Sequence, residues 1–187
     1  MGFGLQTYTV RAEQKKSLEK AYLPLVEMGI SELELARIDF TEQNARTIGS
    51  LTEKYGIKPV SIQVKPKYVF GNPEKIIEFC NATGCKNVVI SMLPFKCILG
   101  SEKRFYDFIS LLDEQFERYE KSGITLAYHH HNWEYVKLSN GKTIETTVEE
   151  ISYALTEYRK KLTSTRSIIN QMIDGDEDGD YKGLDTL

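Results

Sequence analysis

Apolar and polar positions follow two rhythms along the chain. One is short and twofold: Phe3 to Tyr8, Glu32-Leu33-Glu34-Leu35-Ala36, Lys58 to Val64, Asn87 to Ser91 and Gly123 to His131 read as strands. The other has helical spacing. Leu18, Ala21, Tyr22, Leu25 and Val26 share one face, Phe40, Ala45, Ile48, Leu51 and Tyr55 a second, and Ile76, Ile77, Phe79 and Cys80 a third. The longest stripe runs through Phe105, Phe108, Ile109, Leu112, Phe116 and Tyr119. Gly29, Gly56, Gly84 and Gly123 each close a helix, and a strand follows almost at once. Strands alternating with helices at this length imply right-handed crossovers, a parallel sheet and the α/β class.

The strand ends choose between an open sheet and a barrel. Gln6, Glu34, Gln63, Ser91 and His129 lie near carboxyl ends, on the face opposite Leu5, Leu33, Leu35, Ile62, Val64 and Tyr128. Polar groups converging on one interior suit a parallel barrel, whose functional groups gather at its carboxyl-terminal rim. A nucleotide-binding open sheet would carry a glycine-rich turn after its first strand, and Thr7-Tyr8-Thr9-Val10-Arg11 is not one.

Chemistry is concentrated in one stretch. All three histidines and the single tryptophan fall within Leu126-Ala127-Tyr128-His129-His130-His131-Asn132-Trp133-Glu134. Strand alternation places His129 and His131 on one face and His130 on the other, with Glu134 just beyond. Two imidazoles projecting together make half of a divalent-metal or acid/base site.

Composition narrows the class. The chain has 187 residues, 41% hydrophobic and 11% aromatic, enough for one domain with a sizeable core. A net charge of -3, with lysines scattered among glutamates, offers no stripe for a phosphate backbone, so no nucleic-acid partner is expected. No apolar run approaches the roughly 20 residues that cross a bilayer, so no membrane association and a cytoplasmic location are expected. Cys80, Cys85 and Cys97 have no Cys-x-x-Cys spacing and suit a reducing compartment.

Three segments resemble one family. Gly4-Leu5-Gln6-Thr7-Tyr8-Thr9-Val10-Arg11 looks like the opening "GLQLYTVR" of the sugar phosphate isomerase/epimerase family, which has the xylose isomerase-like TIM-barrel fold. The stretch from Leu25 to Ala36 is similar to its second-strand pattern, an apolar helix end, a glycine and a strand bearing a glutamate. Gly123 to Tyr135 resembles its fifth-strand signature, often "YHNHxxEF". The likeness runs in register over residues 3 to 142.

The resemblance implies a barrel rim that binds a divalent metal (Mn, Mg, Zn or Co) and a small sugar, polyol or keto-sugar derivative. Such enzymes move a proton next to a carbonyl that the metal polarises. Carried onto this chain, it makes Glu34 and His129 the catalytic groups and His129 and His131 the metal ligands. Gln6, Tyr8, Gln63, Trp133 and Glu134 become the substrate contacts. His129 stands where many members have a glutamate, and the family's remaining ligands come from strands six to eight.

Those later strands find no counterpart here. A barrel of this kind needs about 250 residues, whereas Thr143 to Leu162 reads as one amphipathic helix through Val148, Ile151, Leu155, Tyr158 and Leu162. The expectation is an incomplete (β/α) barrel over residues 1–142 and a helical extension with an acidic tail over 143–187. An open edge after the fifth strand would favour a homo-oligomer. Turnover would be impaired, and the competing function is a non-catalytic small-molecule or metal-binding module. Residues 174–185 place acids at loop positions 1, 3, 5 and 7 in the manner of a calcium-binding loop. With Asp185 at position 12 and only two residues after it, calcium is not expected there.

Overall fold

The computed structural model describes residues 4–98, 102–135 and 137–144, apart from the side chains of Phe95, Ile98, Asn132 and Trp133. The helix expected beyond Ile144 and the acidic stretch 174–185 lie outside the described residues. The chain divides into two compact units, Met1–Val136 and Lys137–Leu187.

In the first unit, β1 (Gly4–Gln6) leads through a 3-10 turn (Thr7–Val10) into α1 (Arg11–Gln14) and α2 (Leu18–Glu27). There follow β2 (Glu32–Leu35), α3 (Glu42–Tyr55), β3 (Lys58–Val64), α4 (Pro66–Gly71), α5 (Pro73–Thr83) and β4 (Asn87–Ile90). After α6 (Phe95–Ile98) and α7 (Glu102–Lys121) comes β5 (Thr125–Tyr128), then a 3-10 turn (Asn132–Tyr135). The strands form one sheet in the order β1-β2-β3-β4-β5, every pair parallel. This is an incomplete α/β barrel, an arc of five strands with helices on its outer side.

Local chemistry starts and stops these helices. Ser17, Thr41 and Asn72 cap α2, α3 and α5, each accepting a backbone N–H three residues on. Pro73 occupies the first turn of α5, where its missing N–H costs nothing. Gly56 and Gly84 end α3 and α5 at φ 70° and 71°, a conformation that suits glycine.

Burial follows the twofold rhythm. Leu33, Leu35, Ile62, Val64, Val88 and Ile90 are at most 1% exposed, while Glu34, Ser61, Gln63 and Val89 on the other face keep partial exposure. The core between sheet and helices is completed by Tyr22, Ile48, Ile76 and Phe105, all at 1% or less. Cys80, Cys85 and Cys97 are buried free thiols.

β2 and β4 each end one residue before their sequence patterns, and β1 and β5 fall further short. β1 stops at Gln6 because the next side chain turns inward: Thr7 Oγ1 accepts the Ala36 N–H at 2.8 Å and donates to the Ala36 carbonyl at 3.2 Å. β5 stops at Tyr128, although the His129 N–H still donates to the Ile90 carbonyl at 3.0 Å. One register shift lies between Leu33 and Glu34, so that Leu33 pairs with Pro59 and Glu34 with Ser61. Proline cannot donate to a ladder, and a bulge beside it accommodates the lost bond.

In the second unit the described residues form a tight turn. Lys137 and Thr143 make an antiparallel bridge, and the Leu138 N–H donates to the Lys142 carbonyl at 2.8 Å. Among the described residues no helix is long and apolar enough to cross a membrane.

Candidate active site

The carboxyl ends of the strands open onto a cavity of about 560 Å³. Gln6 reaches it from β1, Gln63 from β3, Ser91 from the turn after β4, and His129 and His131 from the segment after β5. Tyr8 enters from the first 3-10 turn, and Arg37, Asp39 and Lys65 from the loops after β2 and β3. Six positions singled out from sequence therefore meet here: Gln6, Tyr8, Gln63, Ser91, His129 and His131.

The two imidazoles are close neighbours. The His129 and His131 rings lie edge to face with centroids 4.8 Å apart. Partial burial holds His131 below the ordinary imidazole value, against the opposing pull of Glu134. His130 points elsewhere, is exposed, and meets the Tyr135 ring at 6.2 Å.

Glu34 reaches the cavity through Gln6 rather than by lining it. In the sheet it stands between Gln6 and Ser61, and each of its oxygens is taken: Gln6 Nε2 donates to Oε1 and Ser61 Oγ to Oε2, both at 2.7 Å. The bulge is what sets Ser61 opposite Glu34, because without the shift Val60 would follow Pro59 in the pairing. Pro59 is the sequence signal for that bulge.

Glu134 is fully buried at 0% exposure. Its Oε1 accepts the Tyr128 hydroxyl and its Oε2 the His131 backbone N–H, each at 2.5 Å, while His131 Nδ1 stands 3.9 Å from Oε1. Burial first and the carboxylate second push the Tyr128 phenol well above its ordinary value. Glu134 thus braces the histidine turn from behind and does not line the cavity. The side chain of Trp133 lies outside the described residues.

Gln63 Nε2 is buried and has no hydrogen-bond partner among the described residues. A buried amide nitrogen facing a cavity is a donor waiting for an acceptor. For a metal, the cavity lining offers the imidazoles of His129 and His131 and the carboxylate of Asp39. Among the described residues no group of three or more His, Cys, Asp or Glu side chains is placed to hold an ion. A catalytic zinc ordinarily has three protein ligands, so this half of the site fits a metal only in part.

No protein-family model matches the sequence and no curated protein matches it. Solved structures do. The chain resembles a sugar phosphate isomerase/epimerase from Parabacteroides distasonis with a TM-score of 0.60 and 19% identity, covering 80% of this chain and 61% of that one. It also resembles the probable 3-DHS dehydratase involved in petrobactin synthesis from Bacillus anthracis, with a TM-score of 0.51 and 12% identity, over 67% of this chain and 51% of that one. The likeness is one of fold, that of a TIM barrel, and the chain spans about three fifths of the length of the first of these structures.

Proposed function

We propose that the cavity binds a small sugar, polyol or keto-sugar derivative, and that His129 moves a proton beside its carbonyl in an isomerase or epimerase reaction. One observation carries this reading. Gln6, Tyr8, Gln63, His129 and His131 come from opposite ends of the first unit and line a single cavity at the carboxyl ends of parallel strands, where barrels of this kind hold their substrates.

The residues divide the work. The unpartnered Gln63 amide is a donor for a substrate carbonyl or hydroxyl oxygen. Gln6 offers its own amide, oriented by Glu34, and Tyr8 gives an aromatic face at the mouth. An imidazole nitrogen can accept a proton and return it, which suits His129, a cavity-lining group, to the transfer. Glu34 would carry a proton itself only after exchanging Gln6 for the substrate. Trp133 is assigned to an apolar wall, and Glu134 holds His131 in place.

In the alternative role for His129, a divalent metal (Mn, Mg, Zn or Co) would be held by His129 and His131 and would polarise the carbonyl, and the proton would then fall to Glu34. Titration with cobalt and zinc, in the wild type and in His129→Ala, tests this. Weakened binding of at least tenfold is expected in the variant, and equal affinity in both removes His129 as a ligand. A keto-sugar isomerisation assay with added manganese tests the reaction. The incomplete donor set favours a second reading, a small-molecule binding module without turnover, and binding of a sugar by wild type with no isomerisation would select it.

A further inference from the structure

Arg37 is the only non-glycine residue at positive φ among the described residues, at 59°. Arginine gains nothing locally from the left-handed conformation, where its Cβ crowds the following carbonyl. Such a conformation persists when its surroundings impose it. Here three buried polar side chains do so. Gln14 Nε2 donates to the carbonyls of both Ala36 and Arg37, at 2.9 and 3.0 Å, and Thr7 Oγ1 engages both backbone groups of Ala36. Tyr22 in turn donates to Gln14 Oε1 at 2.8 Å, orienting the amide. Thr7 and Tyr22 are 0% exposed and Gln14 7%. Through the backbone groups of Ala36 and the Arg37 carbonyl, this buried network holds Arg37 in its strained shape.

The strain delivers a guanidinium to the cavity. Arg37 lines it, with its Cζ 5.6 Å from the centre of the Tyr8 ring. Arg11 braces the same ring at 4.2 Å and is itself fixed by a bond to the Tyr8 carbonyl at 2.8 Å. Lys65 supplies a second cation to the lining, and Asp39 its only carboxylate among the described residues. Neither Arg37 nor Lys65 has an ion-pair partner among the described residues. Two further carboxylates that do not line the cavity are turned elsewhere, Glu34 to Gln6 and Ser61, and Glu134 to Tyr128 and His131.

We infer that Arg37, held in its left-handed conformation by Thr7, Gln14 and Tyr22, is a specificity-determining residue that with Lys65 binds an oxyanion, a phosphate or a carboxylate, on the ligand of this cavity. The planar fork of a guanidinium matches both groups. The inference deepens the sugar-binding reading and rests on it for the location of the ligand, but not for proton transfer.

Calorimetric titration of the full chain in chelator-treated buffer tests it, with fructose 6-phosphate, glucuronate and fructose as probes. Wild type is expected to bind at least one charged probe tenfold or more tighter than fructose, and whichever charged probe gains tells phosphate from carboxylate. Arg37→Gln is expected to lose that preference while binding fructose as before, and Arg37→Lys to keep part of it. Arg37→Gly relieves the backbone strain, so its Tm should hold or rise while the preference disappears. Charged probes bound no better than fructose by wild type, or equally well by wild type and Arg37→Gln, would overturn the inference. So would an Arg37→Gly protein with a lowered Tm and an intact preference, which would make Arg37 a structural residue. The two readings fail separately: absent metal binding and isomerisation with anion preference intact sinks only the proton-transfer reading, whereas isomerisation of a neutral keto-sugar by a wild type that shows no preference for the charged probes sinks only this one.

Discussion

The Tyr128 hydroxyl and the Glu134 carboxylate are 2.5 Å apart, joining the last residue of β5 to the turn behind the histidines. With its other oxygen on the His131 N–H, Glu134 has no exposed surface left.

Replacing Glu134 by alanine strands both donors. A buried donor left unmet costs about 1–3 kcal/mol, so Glu134→Ala should lower stability by about 2–4 kcal/mol in urea unfolding. Tyr128→Phe should cost about 1–2 kcal/mol, because the carboxylate keeps the backbone donor. The double variant should lose less than the sum, and strict additivity would mean that the two side chains do not act on one another.

Glu34 has a different tolerance. Glutamine in its place can accept from Gln6 with its oxygen and donate to the Ser61 hydroxyl, which rotates to receive it. Glu34→Gln should therefore stay within about 1 kcal/mol of wild type, whereas Glu34→Ala, which abandons Gln6 and Ser61, should lose about 1–3 kcal/mol. Equal losses in chemical denaturation would show that the charge, not the bonding geometry, holds this part of the sheet.

Burial pushes the Tyr22 phenol from 10.0 to about 12. A raised folded-state value means the native state holds the proton more tightly than the unfolded chain, so this contribution is complete below pH 10 and is lost as pH rises toward 12. Two units correspond to about 2–3 kcal/mol. Stability measured from pH 9 to pH 12 should fall more steeply in wild type than in Tyr22→Phe, with parallel curves contradicting the assignment. At neutral pH the variant should be about 1–2 kcal/mol weaker, since Gln14 Oε1 loses its donor.

Gly56 and Gly84 offer a control for backbone effects. Both have positive φ, and a Cβ built on either would meet nothing within 4 Å. Alanine at either site should cost about 1 kcal/mol through conformation alone. A thermal shift much larger than about 2–4 °C would mean that something other than φ is being disturbed.

How much of this was legible beforehand varies by residue. The β3 boundaries and the faces of Leu33, Leu35, Ile62 and Val64 follow from alternation, since successive strand side chains point to opposite sides whatever surrounds them. Gly56 and Gly84 announce their helix ends for an equally local reason. The convergence of Gln6, Gln63 and His129 on one rim could be read from their places near strand ends, because parallel strands bring all their carboxyl ends to one side.

Ser61 was hidden, because its meeting with Glu34 depends on a one-residue bulge that moves Val60 out of the pairing. Arg37 carries no local mark at all, its conformation being imposed by Thr7, Gln14 and Tyr22 across the fold. Glu134 reads in sequence as a carboxylate facing a substrate, and in the structure it faces Tyr128 and a backbone N–H. The amino-acid sequence determined which residues form strands and helices and which faces are apolar, because those depend on backbone periods and neighbouring side chains. Tertiary structure alone decided which polar group answers which, because a hydrogen bond between residues 27 to 29 positions apart exists only when separate strands are brought side by side.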